Sequence, residues 1–341
     1  MVPEGCRKVS GVHRTAGVSH PVGNVGRVQE PTPPVLTPAQ ERTLALLRRT
    51  GDPVVMDADL VAQLRDEANE ALAHFTDRLG NATLFVTKHT LASVHGCEVH
   101  FLAPDDFEWT PARARGQVAH KAIQLLVNWR GEPTPRDLVD DALARLGDEE
   151  RDFGRWIAAL SPGDEADLRG AAVERVTKFM ETFPPLDRRS NPTTEAAAQW
   201  PLDAPILLRA RVDLVMGRPQ GRESRKLIID LKTGRVSPRH REDLRFYALV
   251  ETLVRDVPPR LLATYYLDSA QPAIEHVNEG VLRTALRRTL DGINAVVELQ
   301  VEGRTPVKRT GPTCRWCPLA ADCAEGQAYL RGDDPEEEID D

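Results

Sequence analysis

The feature that most constrains the fold is a short apolar run that ends in charges. Residues 226–233 read K-L-I-I-D-L-K-T and stop at Gly234. An apolar run of this length, bounded by turn residues, predicts a mostly buried strand. Because side chains alternate along a strand, Asp230 and Lys232 share one face while Leu231 points to the other. A lone D-x-K is usually a surface ion pair, but charges that end a buried strand call for a stabilising partner or a function.

A second strand-like run, residues 206–216, precedes the first, and the turn-rich residues 217–224 separate the two. This order predicts a hairpin, in which cross-strand pairing brings Asp213 near Asp230. A helix over about 243–254 and a strand over about 261–267 follow. Strand, helix and strand in succession predict a crossover within a mixed sheet.

Helical patterns dominate the rest of the chain. We predict helices over 38–47, 58–79, 87–97 and 281–299, and a further helix that opens at Gly116. In that helix His120 lies off the main apolar stripe but shares a face with Ile123 and Val127, so its imidazole is predicted to point inward. A core histidine bonded to a backbone carbonyl is the alternative. Residues 130–182 are charged and helical, which predicts an inserted helical subdomain.

Charge is unevenly distributed along the chain. The net charge is −8, but residues 333–341 alone hold seven acids. Residues 204–260 contain thirteen Lys or Arg against seven Asp or Glu, which suits a phosphate-binding surface or, equally, a solvated charged face. No apolar stretch has the length of a membrane span, and the first 36 residues lack the apolar block of a secretory signal. We therefore expect a cytoplasmic protein without a membrane partner.

Three of the five cysteines, Cys314, Cys317 and Cys323, lie within ten residues. Thiols this close predict metal ligands rather than disulfides, and Cys97 is a candidate for the fourth. Four thiolates can bind Zn²⁺ or an iron–sulfur cluster. Zinc sites usually draw two close pairs, so a tight trio with one distant cysteine favours the cluster. Free structural cysteines are the third interpretation.

The carboxylates of Asp213 and Asp230 are oxygen ligands of the kind that Mg²⁺ and Mn²⁺ prefer. A metal held there would activate a water and neutralise charge on a phosphodiester. Lys232 would orient the attacking water or stabilise the developing negative charge. The sequence thus predicts a metal-dependent nuclease.

Four motifs in order resemble the PD-(D/E)xK nuclease superfamily, most closely its RecB-like branch: Gly116-x-x-x-His120, Asp213, Asp230-x-Lys232 and Tyr247. The resemblance covers roughly residues 87–323. It implies a restriction-endonuclease-like α/β core, a mixed β-sheet flanked by helices in αβββαβ order, with the helical subdomain inserted.

The resemblance also implies roles for single residues. Catalysis falls to Asp213, Asp230 and Lys232. The implied metal ligands are His120, Asp213, Asp230 and the backbone carbonyl of Leu231. Tyr247 is a candidate substrate contact, with core packing as the alternative. Glu195 loosely matches an acidic position of some members, whereas Asp243 stands where the branch commonly has Gln. The implied cysteine ligands of a 4Fe–4S cluster, or alternatively of Zn²⁺, are Cys97, Cys314, Cys317 and Cys323.

These expectations divide the chain into a disordered extension (1–36), an N-terminal helical region that contributes Cys97 (37–110), a nuclease core (111–129 and 183–300), a helical insertion (130–182), a cysteine-cluster segment (301–330) and an acidic tail (331–341). The expected function is hydrolysis of DNA, as an exonuclease on single strands or duplex ends, in repair, recombination or defence. The sequence has no phosphate-loop motif of a helicase, so a helicase or repair protein is the expected partner. A non-catalytic nucleic-acid-binding module and a metal-stapled scaffold subunit are the alternatives.

Overall fold

The computed structural model describes residues 35–104 and 107–332. The predicted N-terminal extension lies outside these residues except for its last two positions, as does the acidic tail beyond residue 332. The chain divides into two units, Met1–Val35 and Leu36–Asp341, and the description below concerns the second. Within the described ranges, no helix combines the length and the apolarity that crossing a membrane requires.

The described residues form eleven α-helices and six strands. The helices are α1 (Pro38–Leu47), α2 (Ala58–Leu79), α3 (Lys88–Gly96), α4 (Glu98–Leu102), α5 (Pro111–Asn128), α6 (Pro135–Glu149), α7 (Arg151–Ala158), α8 (Pro162–Thr182), α9 (Pro238–Arg255), α10 (Glu279–Gln300) and α11 (Ala324–Arg331). The strands are β1 (Leu84–Val86), β2 (Thr193–Trp200), β3 (Ile206–Met216), β4 (Leu227–Lys232), β5 (Leu261–Tyr266) and β6 (Gln271–His276).

The strands form one six-stranded mixed sheet. Its order is β1-β3-β4-β5-β6, and β2 also pairs with β3. The β3–β4 pair is antiparallel, as the hairpin prediction requires, and α9 connects β4 to the parallel strand β5. The succession α5-β2-β3-β4-α9-β5 confirms the predicted αβββαβ order of a restriction-endonuclease-like core.

Helices cover both faces of the sheet. On one face α2, α9 and α10 pack against side chains such as Ile228 and Leu262. On the other face α5 and α8 pack against Ile229, Leu231 and Tyr265. Because side chains alternate along β4, Asp230 belongs to the face that α9 covers. The sheet thus buries a carboxylate beneath a helix.

Residues 130–182 form the helices α6, α7 and α8. They pack with α5 around a separate apolar cluster that includes Leu138, Phe153 and Val176, all fully buried. The assignment of these residues to an inserted subdomain stays a prediction.

Two helix starts differ from the sequence prediction. Helix α5 begins at Pro111, five residues before Gly116, because Thr110 caps it and accepts a hydrogen bond from the amide of residue 113. Helix α9 begins at Pro238 rather than near residue 243, because Ser237 caps it. Both starts combine a hydroxyl cap with proline at the first helical position.

The N-terminal region is also not purely helical, since β1 lies within it and pairs with β3.

Candidate active site

The site lies where strands β3 and β4 separate. Their pairing runs from Met216 and Leu227 to Leu214 and Ile229, and stops there. Beyond that point Asp213 Oδ2 accepts a hydrogen bond of 2.7 Å from the amide of Leu231. The carbonyls of Lys226 and Lys232 accept hydrogen bonds from backbone amides at the two ends of β5. Because backbone groups alternate in direction along a strand, the backbone N–H and C=O of Leu231 point away from β5 and toward β3. The carbonyl of Leu231 therefore faces the opening between the strands.

Asp230 is a fully buried carboxylate beside two lysines. Lys232 Nζ lies 2.7 Å from Oδ2, and Lys88 Nζ donates a hydrogen bond of 3.1 Å to Oδ1. The contact of Lys232 with Oδ2 is an ion pair that lies outside hydrogen-bonding geometry, and Oδ2 has no hydrogen-bond donor among the described residues. Each oxygen of Asp230 is thus paired with a lysine ammonium, a place that a metal cation could take.

Asp213 is held in its charged form by several neighbours. His120 Nδ1 lies 3.7 Å from Asp213 Oδ1, and the imidazole is half-buried. Burial disfavours the charged carboxylate, but His120, Lys88 and the amide of Leu231 outweigh it and lower the pKa of Asp213. A carboxylate that stays ionised beside an imidazole is a chemically suitable metal-binding pair.

Glu195 joins the same group from β2. Its neighbours Thr194 and Ala196 pair with Leu214 and Val212, and Glu195 itself adopts a φ of 50°. That conformation is uncommon for a residue with a side chain and often occurs at functional sites. Burial and the charge of Asp213 raise the pKa of Glu195. A third carboxylate is thereby placed next to Asp213.

Helix α9 contributes Asp243 and Tyr247. Asp243 Oδ2 lies 3.7 Å from Lys232 Nζ and 3.9 Å from Lys88 Nζ, and burial raises the pKa of its carboxyl. Tyr247 is 3% exposed, and Lys88 Nζ lies 5.1 Å from the centre of its ring. Burial and the nearby carboxylates raise the pKa of its hydroxyl. The ring of Tyr247 thus packs against the ammonium of Lys88, and the residue also lines a cleft.

A cleft of about 920 Å³ opens onto the site. Its walls come from α3, α5, β2, β3 and α9, and its polar lining includes His120, Lys121, Glu195, Arg209, Asp213 and Tyr247. On the cleft wall the guanidinium of Arg209 stacks 3.7 Å above the ring of Phe85, which is 44% exposed. The cleft lining therefore combines carboxylates with cations, and the guanidinium of Arg209 connects it to a partly exposed aromatic ring.

One small cavity of about 30 Å³ is lined by Cys97, Cys314, Cys317 and Cys323. All four are free thiols. The amide of Arg309 donates to Cys97 Sγ over 3.5 Å, and the amide of Gly326 donates to Cys323 Sγ over 3.3 Å. A side chain at position 326 would meet the sulfurs of Cys323 and Cys314, so the glycine keeps that approach open. Amide donors to sulfur are suited to thiolates that ligate a metal.

Residues 88–324 match the family model of the PD-(D/E)XK nuclease superfamily. The chain belongs to this superfamily. Membership implies a nucleic-acid substrate and, in general, a divalent metal ion in the active site.

Two solved structures are similar to this chain at low identity. The crystal structure of SSO0001 is 15% identical to this chain, with a TM-score of 0.28. The match covers 61% of this chain and 95% of SSO0001. A candidate exonuclease from Eubacterium rectale is 11% identical, with coverage of 70% and 87% and a TM-score of 0.40. A search of curated proteins gives no match.

The donors fit the divalent ion that the superfamily uses. Two carboxylates, an imidazole and a backbone carbonyl converge at the strand opening, and one buried oxygen lacks a donor. As the side chains stand, however, no group of three or more His, Cys, Asp or Glu residues in 35–104 and 107–332 is arranged to hold a metal. Lysines occupy the space around Asp230.

The structure brings together every carboxylate and lysine that sequence analysis assigned to the PD-(D/E)XK site, and it adds Lys88. That lysine lies 142 positions before Asp230 in the chain. Its position follows from β1, which joins the sheet just before α3 begins. The only sequence signal is the apolar triplet 84–86 ahead of the capping Thr87. It is too short to predict a strand, so Lys88 was missed.

Proposed function

We propose that the protein is a Mg²⁺- or Mn²⁺-dependent nuclease that hydrolyses phosphodiester bonds of DNA. One observation carries the proposal: buried Asp230 lies 2.7 Å from Lys232 at the opening between β3 and β4. Burial of a carboxylate is costly unless it is paired, and the pair lies beside Asp213 at the end of a polar cleft. Folding alone gives no reason to place this much charge under α9.

Each residue has a chemical task in this proposal. Asp230, Asp213, His120 and the carbonyl of Leu231 hold the metal ion, which supplies Lewis-acid activation of water and charge neutralisation. Lys232 points to the same face as Asp230, where it orients the attacking water or stabilises the negative charge that develops on the phosphate. Tyr247 contacts the substrate at the base of the cleft.

The type of nuclease and its substrate are inferred from the resemblance to the RecB-like branch and from the cleft. We propose an exonuclease of the RecB-like type that accepts single strands or duplex ends, in repair, recombination or defence, beside a helicase or repair partner. The exposed ring of Phe85 under Arg209 supports a strand-binding role, because bases stack on aromatic side chains while cations contact phosphates.

Cleavage of end-labelled single-stranded DNA, duplex DNA and RNA in Mg²⁺ or Mn²⁺ tests this function. Asp230→Asn should lower the rate by about a thousandfold or more, because it removes the charge that holds the metal. Lys232→Met should lower the rate by a similar factor and leave metal binding in place. Lys226→Met, at the opposite end of β4, is the matched control. Cleavage that survives Asp230→Asn would contradict the proposal.

We also propose that Cys97, Cys314, Cys317 and Cys323 bind a 4Fe–4S cluster, with Zn²⁺ as the alternative ligand. Convergence of the four thiols on one cavity supports it. Iron, sulfide and zinc analysis after anaerobic purification separates the outcomes. About four iron and four sulfide per chain would support the cluster. Zinc without sulfide would show that the cysteines bind Zn²⁺ instead of a cluster. If neither iron nor zinc is present, the four residues are free cysteines.

A further inference from the structure

Lys88 is the active-site residue for which the proposed chemistry has no task. Its ammonium is the sole hydrogen-bond donor that Asp230 Oδ1 has among the described residues, at 3.1 Å. The side chain is 17% exposed, so the pair is largely shielded from water. An ammonium group and a metal ion compete for such a carboxylate, because both bind its lone pairs and their positive charges repel each other at short range.

The surroundings give Lys88 a second place to go. Asp243 Oδ2 lies 3.9 Å from Nζ. A cavity of about 70 Å³ borders both residues, and its charged lining also includes Glu242, Arg239 and Arg288. The ammonium can therefore leave Oδ1 and keep a carboxylate partner without crossing an apolar barrier. Tyr247 lies under the same ammonium and stabilises it in either position.

We propose that Lys88 and the divalent metal ion compete for Oδ1 of Asp230, and that Asp243 receives the displaced ammonium. The proposal rests on the proposed metal-dependent function. Without the ion, Lys88 keeps a buried carboxylate paired. When the ion binds, the ammonium turns toward Asp243 and stays paired with its carboxylate.

Competition explains why the carboxylates and imidazole converge and yet, within the described ranges, leave no ready metal-binding group. A lysine with a merely structural role would predict the reverse effect of its removal, since losing it would loosen α3 and spread the ligands apart. The sign of the change in metal affinity therefore separates the two roles.

The test is Mn²⁺ binding to the full chain, measured by electron paramagnetic resonance without nucleic acid. Lys88→Met should tighten Mn²⁺ binding by about tenfold or more, because close charge pairs of this kind couple by more than a tenfold factor. Lys88→Arg should stay close to the wild type because the charge remains. Lys226→Met is the matched control, since Lys226 is also 17% exposed and pairs with Glu251. It should leave the affinity unchanged.

Unchanged or weaker Mn²⁺ binding in Lys88→Met would overturn the competition, as would an absence of binding in both proteins. If Lys88→Met does not fold, Lys88→Gln removes the charge while keeping a donor to Asp230, and the same outcomes apply. If the protein binds Mn²⁺ at Asp230, so that Asp230→Asn abolishes binding, but cleaves no nucleic acid, the nuclease proposal fails. The competition between Lys88 and the metal ion would still hold if Lys88→Met binds Mn²⁺ more tightly.

Discussion

At the scale of single residues, the site and its supports depend on buried acids that are each matched to a cation. Asp230 is matched by Lys88 and Lys232, and Glu98 is matched by Arg304. Glu98 immediately follows Cys97, and its carboxylate also accepts a hydrogen bond of 2.7 Å from the amide of Val307. This residue therefore ties α4 to the segment that leads to the other three cysteines.

Glu98→Gln should lower the free energy of unfolding by about 2 kcal/mol, measured by urea denaturation. Glu98 is buried, but Arg304 is 33% exposed, so solvent screening reduces the effect below that of a fully buried pair. Glu279→Gln is the control: Glu279 forms an exposed pair with Arg283, and its loss should leave stability unchanged. Equal stability of Glu98→Gln and the wild type would contradict the role.

The same pair gives a pH dependence with a definite sign. The hydrogen bonds from Arg304, opposed by burial, lower the pKa of Glu98 in the folded protein from its ordinary 4.5. Its contribution is thus complete above pH 4.5 and is lost as the pH falls through the lowered value. The difference in unfolding free energy between the wild type and Glu98→Gln should shrink below that pH. A constant difference down to about pH 2 would exclude this linkage.

At the scale of elements, helix α5 lies in close contact with the end of strand β4. A β-carbon at Gly116 would lie 3.1 Å from the hydroxyl of Thr233, directly after Lys232. A side chain at position 116 would press on Thr233, so glycine favours the close approach that carries His120 to Asp213. The sequence motif Gly116-x-x-x-His120 has a physical basis in this contact.

Gly116→Ala should lower the cleavage rate by about tenfold to a hundredfold, because small displacements of reacting groups are costly. Gly170→Ala on α8 is the control, since nothing lies within 4 Å of its added β-carbon. It should raise the free energy of unfolding by about 0.5–1 kcal/mol through helix propensity, with cleavage unchanged. Denaturation and rate measurements on both variants check this. Full activity in Gly116→Ala would argue against the close approach.

Elements differed in how well the sequence predicted them. Strands β3 and β4 were predictable because long apolar runs end in turns. Strand β2 reads T-T-E-A-A-A-Q-W and β6 reads Q-P-A-I-E-H, and neither has the apolar alternation of a half-buried strand. Both were missed because pairing with a neighbour, rather than their own pattern, makes them strands. For the same reason Glu195 on β2 was only loosely assigned.

The site was predictable as far as its residues lie on well-patterned elements. Asp213, Asp230 and Lys232 belong to the strong strands, and their convergence followed from alternation and pairing. Asp243 stands where the branch commonly has Gln, which put in doubt a role of that helix in gripping the substrate; the structure places its carboxylate beside both lysines. Lys88 depends on a contact across 142 positions, which a local pattern does not contain.

At the scale of the whole molecule, acids neutralise part of the basic stretch 204–260. Lys226 pairs with Glu251, Arg245 with Glu275, and Arg225 with Glu223. Other cations of the stretch, among them Arg209 on the cleft wall, have no ion pair with a carboxylate among the described residues. Regional charge counts predicted the sign of the surface but not which cations remain available.

Arg209→Ala should weaken binding of a single-stranded oligonucleotide about fivefold to tenfold without divalent metal, and lower the slope of log affinity against log salt by about 0.7. Arg145→Ala on α6 is the control, because Arg145 pairs with Asp141 outside the cleft. Fluorescence anisotropy over a range of salt concentrations measures both quantities. An unchanged slope in Arg209→Ala would place the strand elsewhere.

Helix α3 has a mechanical consequence for the molecule as a whole. Lys88 is its first residue and Cys97 ends it, so the two chemical centres sit at opposite ends of one rod about 14 Å long. Its middle rests tightly on α10, where a β-carbon at Gly292 would meet Leu91 at 2.5 Å. A displacement of Cys97 at one end of this short helix would therefore also shift Lys88 at the other.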